Sequence, residues 1–563
     1  MKNLKKKAFT LVELLVVIAI IAILAVAGVV GYVVFTKKAA QSNDTSLVSQ
    51  LNEYMAAASS TDNIDTVTDA RNLLIEDGID LATLKLTAKG YKAAFDVAGK
   101  KFYKIDGTKV DGSFDGNKSG LFVFVKTLED ANTYINAGYA VYLQAGFNST
   151  EITATAVGID VGQNSFATVN YNGNASSNNV VVRTYGDQCV LNINAPNDDV
   201  QFYGFAKTVN VTDIKMTSLH IYGAVNELAV AKGHVEVEET GIVFDVTQIG
   251  TVAEGSGASI TNEGFIAKTT LTKHTTEAAK TAAAATVTGE VGGDYKIGNL
   301  AQMEAFRDAV NAGNSFAGLT VKLTNDITLN DGWKPIGEGY RDVANTNTAA
   351  YGITTFFAGI FDGNNKTISN LNNKGFVPTQ ARLVKDDGVD TYAYGLFALV
   401  ENATFKNVKL TNVDIDGSRY AGANIDSVGA LVGYSRGNLT VQNITVSGAI
   451  KGTDAVSGVV GRINLGANTV LISGCSNSAN ITAEVVASGI ARIYKGAAGH
   501  SCTLINNANT GTITSTHATK PYYGGICVYT QTNVTLTQSG NTNNGVAATI
   551  TAVANTNDNS RLG

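Results

Sequence analysis

The 563-residue chain is poor in charge, proline, cysteine, histidine and tryptophan: 16% of it is charged, and it has 4 Pro, 4 Cys, 5 His and 1 Trp. Average globular proteins are about 25% charged and about 5% Pro. Because Pro cannot donate to a strand ladder, its scarcity leaves the chain free to form β-structure. No C-x-x-C pair occurs, so neither a zinc site nor a disulfide framework is indicated. We expect the four cysteines to be buried as small hydrophobic residues: Cys189, Cys475, Cys502 and Cys527.

The charge balance excludes a nucleic-acid-binding role. The chain has 42 basic and 48 acidic residues, a net charge of −6, and the part after residue 38 carries 36 against 47. Binding to phosphate backbones requires a basic surface, which this sequence does not supply.

The length of the chain predicts more than one domain.

The long apolar run of the chain lies near its N-terminus. Residues 14–35 are 22 consecutive uncharged residues. As a helix they are roughly 33 Å long, enough to cross the hydrocarbon core of a bilayer. Four lysines precede the run and two follow it within residues 1–38. This bias predicts a single-pass membrane protein with its N-terminus in the cytoplasm and its C-terminal domains outside.

Glu13 lies inside the apolar segment, where a carboxylate costs about 2.5–3.5 kcal/mol to insert unless it has a partner. Residues 5–14 read KKKAFTLVEL, which resembles the processing site of type IV prepilins and pseudopilins. The resemblance implies that a prepilin peptidase cuts between Ala8 and Phe9, removes the leader 1–8 and methylates the new Phe9 amine. It also implies a role for Glu13 in filament assembly, since a neighbouring subunit's Phe9 ammonium can neutralise it. The family nearly always has Gly where this chain has Ala8.

Two other interpretations of the N-terminal segment are open. Ala25-Val26-Ala27 is an A-x-A triplet, typical of the end of a signal peptide. A cut after it would leave residues 29–35 as an exposed apolar stub and give Glu13 no purpose. The segment can also be a plain membrane anchor in which Glu13 reaches the interface.

A long helix over residues 9–58 is expected to continue beyond the membrane span. Apolar residues recur there at helical spacing and form one stripe: Leu47, Leu51, Tyr54, Met55 and Ala58. For residues 59–120 we expect a small α+β pilin-like head or connector, with a helix near 66–76 and a hairpin about Gly99.

The next region, residues 121–250, shows a short repeat. Tyr-Gly pairs begin at Tyr185, Tyr203 and Tyr222, at intervals of 18 and 19 residues. One coil of a β-solenoid has about that length. A capping-box pattern at residues 127–130 predicts a helix that covers the open end of this first solenoid. The Thr- and Ala-rich residues 251–294 predict a linker.

The region 295–550 has a longer repeat. Asn299 caps a predicted helix to about Ala312, and the sequence that follows resembles the GLUG repeats of bacterial surface proteins. The repeats lie at intervals of 35, 28, 31 and 36 residues and begin at Gly395, Ala430, Gly458, Gly489 and Gly525. About 30 residues suit one coil of a parallel β-helix with glycine or asparagine corners.

The predicted fold class is therefore mainly β, a long N-terminal transmembrane and amphipathic helix followed by two parallel β-helix-like solenoid domains. Residues 551–563 form a polar tail.

Two acidic clusters are the candidates for a catalytic groove, because polysaccharide-cleaving sites need converging carboxylates. Asp414 and Asp416 would lie on one face of a strand, and the second cluster is Asp386, Asp387 and Asp390. We expect both to be solvated surface features, with weak calcium binding as the alternative for the second cluster.

The remaining polar candidates give no short metal-binding motif. The five histidines are scattered, without H-x-x-x-H spacing: His220, His234, His274, His500 and His517. Arg183 and the three repeat tyrosines form either an aromatic surface for sugars or a stack of equivalent coil positions. We expect no catalytic residue, metal or cofactor.

The sequence predicts a prepilin-like subunit, a large minor or tip subunit of a type IV pilus-like fibre that displays β-solenoids for surface adhesion. Its expected partners are the prepilin peptidase, other pilin or pseudopilin subunits, the membrane, and a host or polysaccharide surface. The alternatives are a tethered adhesin outside any fibre and a tethered polysaccharide-degrading β-helix enzyme. Adhesion here is an analogy with the resembled family.

Overall fold

The computed structural model describes residues 40–547, apart from short internal segments. These segments are 58–63, 77, 113, 163, 165, 175–177, 186–187, 215–218, 252–256, 338–355, 377–383, 387–388, 392, 418–426, 465–468, 496–498, 517–521 and 530–533. The described part is mainly β, with parallel sheets. The chain divides into two compact units, Met1–Asn148 with Val157–Gly162, and Ser149–Ala156 with Gln163–Gly563.

The described residues of the first unit form three α-helices and six paired strands. The helices are α1 (40–57), α2 (Val67–Glu76) and α3 (Leu128–Asn136). The strands are β1 (Tyr91–Asp96), β2 (Lys101–Asp106), β3 (Lys109–Val110), β4 (Leu121–Val125), β5 (Ala140–Leu143) and β7 (Ile159–Asp160). Along the sheet their order is β3-β2-β1-β4-β5-β7, antiparallel as far as β4 and parallel beyond it. The expected helix near 66–76 is α2, and the expected hairpin is β1–β2.

Helix α3 has the predicted cap but a different place in the chain's organisation. Thr127 Oγ1 accepts a hydrogen bond from the Asp130 amide at 3.1 Å, as the capping box predicts. The helix connects the parallel strands β4 and β5 of the first unit. Two neighbouring parallel strands require such a crossover connection. The helix is therefore the β4–β5 crossover and not a cap over the end of a solenoid.

The core of the first unit lies between α1 and the sheet. Leu51 and Met55 of α1 are fully buried, and the rings of Phe95 and Phe102 lie 4.6 Å apart. Tyr54, which the sequence placed on the apolar stripe, is 43% exposed. The buried face is therefore narrower than expected, because it follows the i, i+4 pair alone.

In the first part of the second unit, each coil contributes strands to two parallel stacks. One stack contains β9 (Asn179–Thr184), the first half of β11 (Asp199–Ile214), β12 (Leu219–Ile221), β14 (Gly233–Val237), β16 (Ala258–Asn262) and β18 (Val287–Thr288). The other contains β6 (Glu151–Thr155), β8 (Thr168–Asn172), β10 (Val190–Ala195), the second half of β11, β13 (Ala224–Val230), β15 (Ile242–Ile249) and β17 (Phe265–Ile266).

The strand register agrees with the short repeat. Val190 pairs with Thr208 and Thr208 with Glu227, which are intervals of 18 and 19 residues. Residues 251–294, which the sequence predicts to be a linker, instead continue the stacked coils. They contain β16, β17, β18 and a helix, α4 (Glu277–Ala284), and their strands pair with the preceding coils. Short strands with Ile260, Phe265 and Ile266 turned inward bury enough surface to continue the stack despite the Thr- and Ala-rich composition.

Beyond residue 294 the coils contribute strands to three parallel stacks, the third of which begins at Ala393. The first contains β19 (Tyr295–Ile297), β20 (Thr320–Leu323), β22 (Ile360–Asp362), β27 (Phe397–Lys406), β30 (Val432–Gln442), β33 (Val460–Asn464), β38 (Ala491–Lys495) and β43 (Cys527–Tyr529), with the side branch β34 (Thr469–Ser473), β39 (Ser501–Ile505) and β44 (Thr535–Ser539). The second contains β21 (Ile327–Thr328), β23 (Thr367–Ser369), β28 (Lys409–Asp416), β31 (Thr445–Gly452), β35 (Ser476–Asn477), β40 (Ala508–Asn509), β45 (Thr542–Asn543) and the antiparallel β46 (Val546–Ala547), with β36 (Asn480–Ala483) and β41 (Ile513–Ser515) as a branch. The third contains β26 (Ala393–Tyr394), β29 (Ser427–Gly429), β32 (Ala455–Ser457), β37 (Val486–Ser488) and β42 (Tyr522–Gly524). A separate hairpin is formed by β24 (Val384–Asp386) and β25 (Val389–Thr391).

The long repeat defines the coil register. Phe397 pairs with Val432, Val432 with Val460, Val460 with Ala491 and Ala491 with Cys527. These intervals are 35, 28, 31 and 36 residues, the same as those between the repeat starts. The repeat spacing in the sequence is therefore the spacing of successive coils.

In the first of the three stacks, an asparagine or glycine directly follows the strand in each of five successive coils and forms the corner there. Asn407, Asn443 and Asn506 have positive φ, and so do Gly474, in the coil between Asn443 and Asn506, and Gly540, in the coil after Asn506. Only Gly and Asn adopt it readily. Asn443 Nδ2 donates to Asn407 Oδ1 at 3.1 Å, so the corner side chains also bond from coil to coil.

One hydrophobic core runs through both parts of the second unit. It includes Phe205 and Ile242 from the two-stack part and continues to Val534. Helix α5 (Leu300–Asn311), capped by Asn299 as predicted, contributes Met303 and Phe306 to this core. The two expected solenoids thus share a core inside one unit, because α5 and the strands on either side of it bury the same aromatic cluster.

All four cysteines are buried free thiols, as expected from the sequence. Burial raises the pKa of the Cys475 and Cys527 thiols to about 12. Both therefore remain protonated and unreactive at neutral pH.

Candidate functional site

The predicted processing residues lie outside the described part of the structure. Ala8, Phe9 and Glu13 belong to residues 1–39, as does the predicted membrane span 14–35. Among the described residues, no helix combines the length and apolar character that a membrane span requires. The described residues begin with α1. This helix contacts the α+β remainder of the first unit, which is called the head.

The first contact between α1 and the head is made by a buried carboxylate. Asp44 is 1% exposed and accepts hydrogen bonds from the Thr87 amide at 2.7 Å, the Thr87 hydroxyl at 2.7 Å and the Ala88 amide at 2.8 Å. A buried carboxylate is stable when its oxygens accept several such bonds. This contact therefore fixes the loop before β1 onto the helix.

Two turns further along α1, Asn52 binds the edge of the sheet. Its Nδ2 donates to the Phe102 carbonyl at 3.1 Å, and its Oδ1 accepts from the Phe102 amide at 2.6 Å. Lys104, two residues along β2, donates to Thr45 Oγ1 at 2.8 Å. Since both backbone groups of Phe102 depend on one side chain, Asn52 replaces a missing neighbouring strand.

Removing this side chain is expected to loosen the helix from the head. In Asn52→Ala, both polar groups of Phe102 lose their partner, which costs about 1–3 kcal/mol. Hydrogen exchange followed by mass spectrometry should show faster exchange in β1 and β2. Gln50→Ala, on an exposed position of the same helix, is the matched control. Equal protection of β2 in the two variants would contradict the role assigned to Asn52.

The repeat tyrosines lie on the outer face of the two-stack part. Tyr203 pairs in register with Arg183, and the rings of Tyr203 and Tyr222 are stacked 4.9 Å apart with 7° between their planes. Tyr185 follows β9 by one residue and is half-buried. Ring-on-ring stacking is what equivalent positions of successive coils produce. A role in sugar binding stays a prediction.

Next to this stack, the fold brings together three side chains that the sequence left separate. His220 on β12 lies beside Glu236 and Glu238 at the end of β14, and their ligand-type atoms all lie within 4.8 Å of one another. His220 pairs in register with Glu236, 16 residues further along the chain, and Glu238 lies two residues beyond it. Motifs of short spacing do not include such a group, and the intervals of 18 and 19 residues between the repeat tyrosines do not match the 16-residue interval between His220 and Glu236.

The first acidic candidate is an outward-facing pair, as expected. Asp414 and Asp416 lie on β28 with buried Ile415 between them. Asp414 Oδ2 lies 3.3 Å from Lys374 Nζ, and Asp416 Oδ2 lies 3.5 Å from Lys451 Nζ. Each carboxylate thus has its own lysine, an arrangement that neutralises both groups on the surface.

The second acidic candidate lies at a hairpin. Asp386 is on β24 and Asp390 is on β25, directly paired with Lys385. Asp387 lies outside the described residues, so calcium binding there stays a prediction.

Of the other histidines that the structure describes, two are buried and one lies close to Glu236. His274 and His500 are buried, the former with Nε2 3.4 Å from the Ile249 amide nitrogen. His234 lies on β14 with Nδ1 2.7 Å from Ser259 Oγ. His517 lies outside the described residues.

The N-terminus matches a known family. Residues 3–29 match the prokaryotic N-terminal methylation motif. The chain therefore has a type IV prepilin-like N-terminus, and the motif indicates a membrane-anchored protein exposed at the surface.

Comparison with individual proteins gives two further likenesses. The chain is 30% identical to halomucin of Haloquadratum walsbyi (strain DSM 16790 / HBSQ001) over 178 residues, which are 31% of this chain and 2% of halomucin. It is also similar to a crystal structure described as "a putative immunoglobulin A1 protease from Bacteroides ovatus", with 16% identity, 48% of this chain and 83% of that chain covered, and a TM-score of 0.27. The matched segment thus spans only a small fraction of the curated relative.

Proposed function

We propose that this chain is a prepilin-like subunit of a type IV pilus-like fibre, a large minor or tip subunit that displays β-solenoid modules for surface adhesion. The observation that carries the proposal is the methylation motif at residues 3–29, followed by a helix that is bonded to an α+β head. A subunit held in a fibre by its N-terminal helix needs that helix joined firmly to the part it displays.

The N-terminal chemistry follows from the motif. A prepilin peptidase would cut between Ala8 and Phe9 and methylate the Phe9 amine. The membrane would hold the new N-terminal helix until it joins other pilin or pseudopilin subunits. Glu13 would then be neutralised by a neighbouring subunit, which offsets the cost of its burial in the apolar helix.

The size and surface of the chain favour a displayed subunit over a shaft subunit. Its mass is 58.7 kDa, whereas a shaft is built from many copies of a small unit. The second unit stacks coil on coil, and such repeat folds provide extended surfaces for binding. This binding face would attach to a host or polysaccharide surface and would not catalyse a reaction.

The test is the mass and sequence of the mature N-terminus, isolated from cell envelopes. We expect a chain that begins at N-methylated Phe9. An Ala8→Gly variant, which carries the residue usual before the cut, should be processed at least as completely and serves as the matched control.

Each other N-terminus would overturn the proposal. A chain that begins at Gly28 would identify a signal peptide and a secreted protein. A chain that retains Lys5–Lys7 in both forms, in cells whose other pilins are processed, would identify a plain membrane anchor.

A further inference from the structure

We infer that His220, Glu236 and Glu238 form a binding site for a divalent transition-metal ion on the outer face of the second unit. His220 Nδ1 lies 2.6 Å from Glu238 Oε1 and 3.3 Å from Glu236 Oε2. One imidazole nitrogen and two carboxylates that converge at such distances can exchange their mutual contacts for bonds to one ion.

The fold holds these ligands with little freedom. His220 and Glu236 are direct partners in the parallel pairing of β12 and β14. The neighbouring pair, Ile221 and Val237, is fully buried, so the ligand side chains point outward from a fixed backbone. Little conformational entropy is left to lose when an ion binds.

The three side chains are partly shielded but accessible. Their exposed fractions are 24% for His220, 32% for Glu236 and 20% for Glu238. Three protein ligands leave at least one position of a four-coordinate ion for water. The partial shielding strengthens the electrostatic attraction for a cation, since the effective dielectric is lower than that of water.

The local negative charge also favours the binding of a cation. Two carboxylates meet one imidazole, and within the described residues neither glutamate has a lysine or arginine partner. A second histidine lies nearby, with His234 Nε2 3.7 Å from Glu236 Oε1. Even a protonated His220 would neutralise only one carboxylate, whereas a divalent ion neutralises both.

The donor set selects the class of metal. Ca²⁺ and Mg²⁺ prefer oxygen ligands alone. A site with one imidazole and two carboxylates suits Zn²⁺ or another divalent ion of the first transition row. Because the ligands come from two successive coils, the bound ion would join β12 to β14.

The inference is independent of filament assembly, so it is tested on the purified full-length chain in detergent after treatment with a chelator. Titration with Zn²⁺ should show one site per chain by calorimetry. Zn²⁺ should also raise the melting temperature, since it binds the folded state, and Mg²⁺ at the same concentration should not.

Variants of the ligands separate this site from incidental binding. We expect His220→Ala and Glu238→Gln each to weaken Zn²⁺ binding by at least about tenfold. Glu238→Gln keeps the shape of the side chain and an oxygen for His220, so its fold should persist, as checked by circular dichroism. The control is Glu227→Gln, an exposed glutamate on β13 in the other stack, which should bind Zn²⁺ like the parent.

Two results would overturn the site. One is a parent chain that binds no Zn²⁺, or that responds to Zn²⁺ and Mg²⁺ equally. The other is Zn²⁺ affinity in His220→Ala and Glu238→Gln that equals the affinity of Glu227→Gln.

Discussion

Replacing Gly489 by alanine is expected to destabilise the three-stack part of the second unit by about 3 kcal/mol or more. A Cβ atom at this position would lie 1.9 Å from the Gly525 carbonyl oxygen and 2.7 Å from Asn509 Cγ. Both neighbours are fixed: Gly525 by the next coil and Asn509 by hydrogen bonds from Asn477 and to Asn543 at 2.8 and 2.9 Å. The coils must therefore move apart, which breaks ladder hydrogen bonds on both sides.

Hydrogen exchange with mass spectrometry is the measurement for this variant. Coils of a repeat fold contact mainly their neighbours, so protection should fall most in residues 486–495 and 522–529. Gly257→Ala is the matched control, because a Cβ there meets no atom within 4 Å. Protection in Gly489→Ala that equals the parent's would show that the coil spacing is not set by this contact.

The coil register could be predicted from the sequence because the same steric demand recurs once per coil. Gly458 would place a Cβ 2.1 Å from the Gly489 oxygen, as Gly489 would against Gly525. Each coil thus repeats a small residue at one position, and the intervals between these positions are visible in the sequence. The assignment of these repeats to the GLUG type stays a prediction.

The candidate metal site could not be predicted in the same way. His220 and Glu238 are ordinary polar residues, and nothing in the sequence marks them as neighbours. The intervals between paired residues vary in this part of the fold, for example 16 residues between His220 and Glu236 and 18 between Val190 and Thr208, so no single interval identifies the site. Only the register of β12 with β14 selects the pair that meets on the outer face.

The linker prediction for residues 251–294 is wrong because a segment that is rich in Thr and Ala still forms strands that pair with the preceding coils. Thr and Ala dominate around α4, but the buried residues Ile260 and Ile266 pair with Val235 and Val243 of the preceding strands. In a stacked fold each coil needs only a few inward residues, since the core is shared with the coils before and after it.

Replacing Glu13 by alanine is expected to prevent most of the incorporation of this chain into fibres. In Glu13→Ala, the predicted N-terminal helix would lose the carboxylate that a neighbouring Phe9 ammonium would neutralise. The variant would remain inserted in the membrane at lower cost. Breaking such a buried ion pair costs several kcal/mol, so the ratio of this chain in sheared fibres to that in membranes should fall at least about tenfold.

The control is Glu53→Ala, on an exposed position of α1, which should leave the ratio unchanged. Both variants must begin at Phe9, which separates a failure of assembly from a failure of processing. An unchanged ratio in a correctly processed Glu13→Ala chain would mean that the helix does not join a fibre.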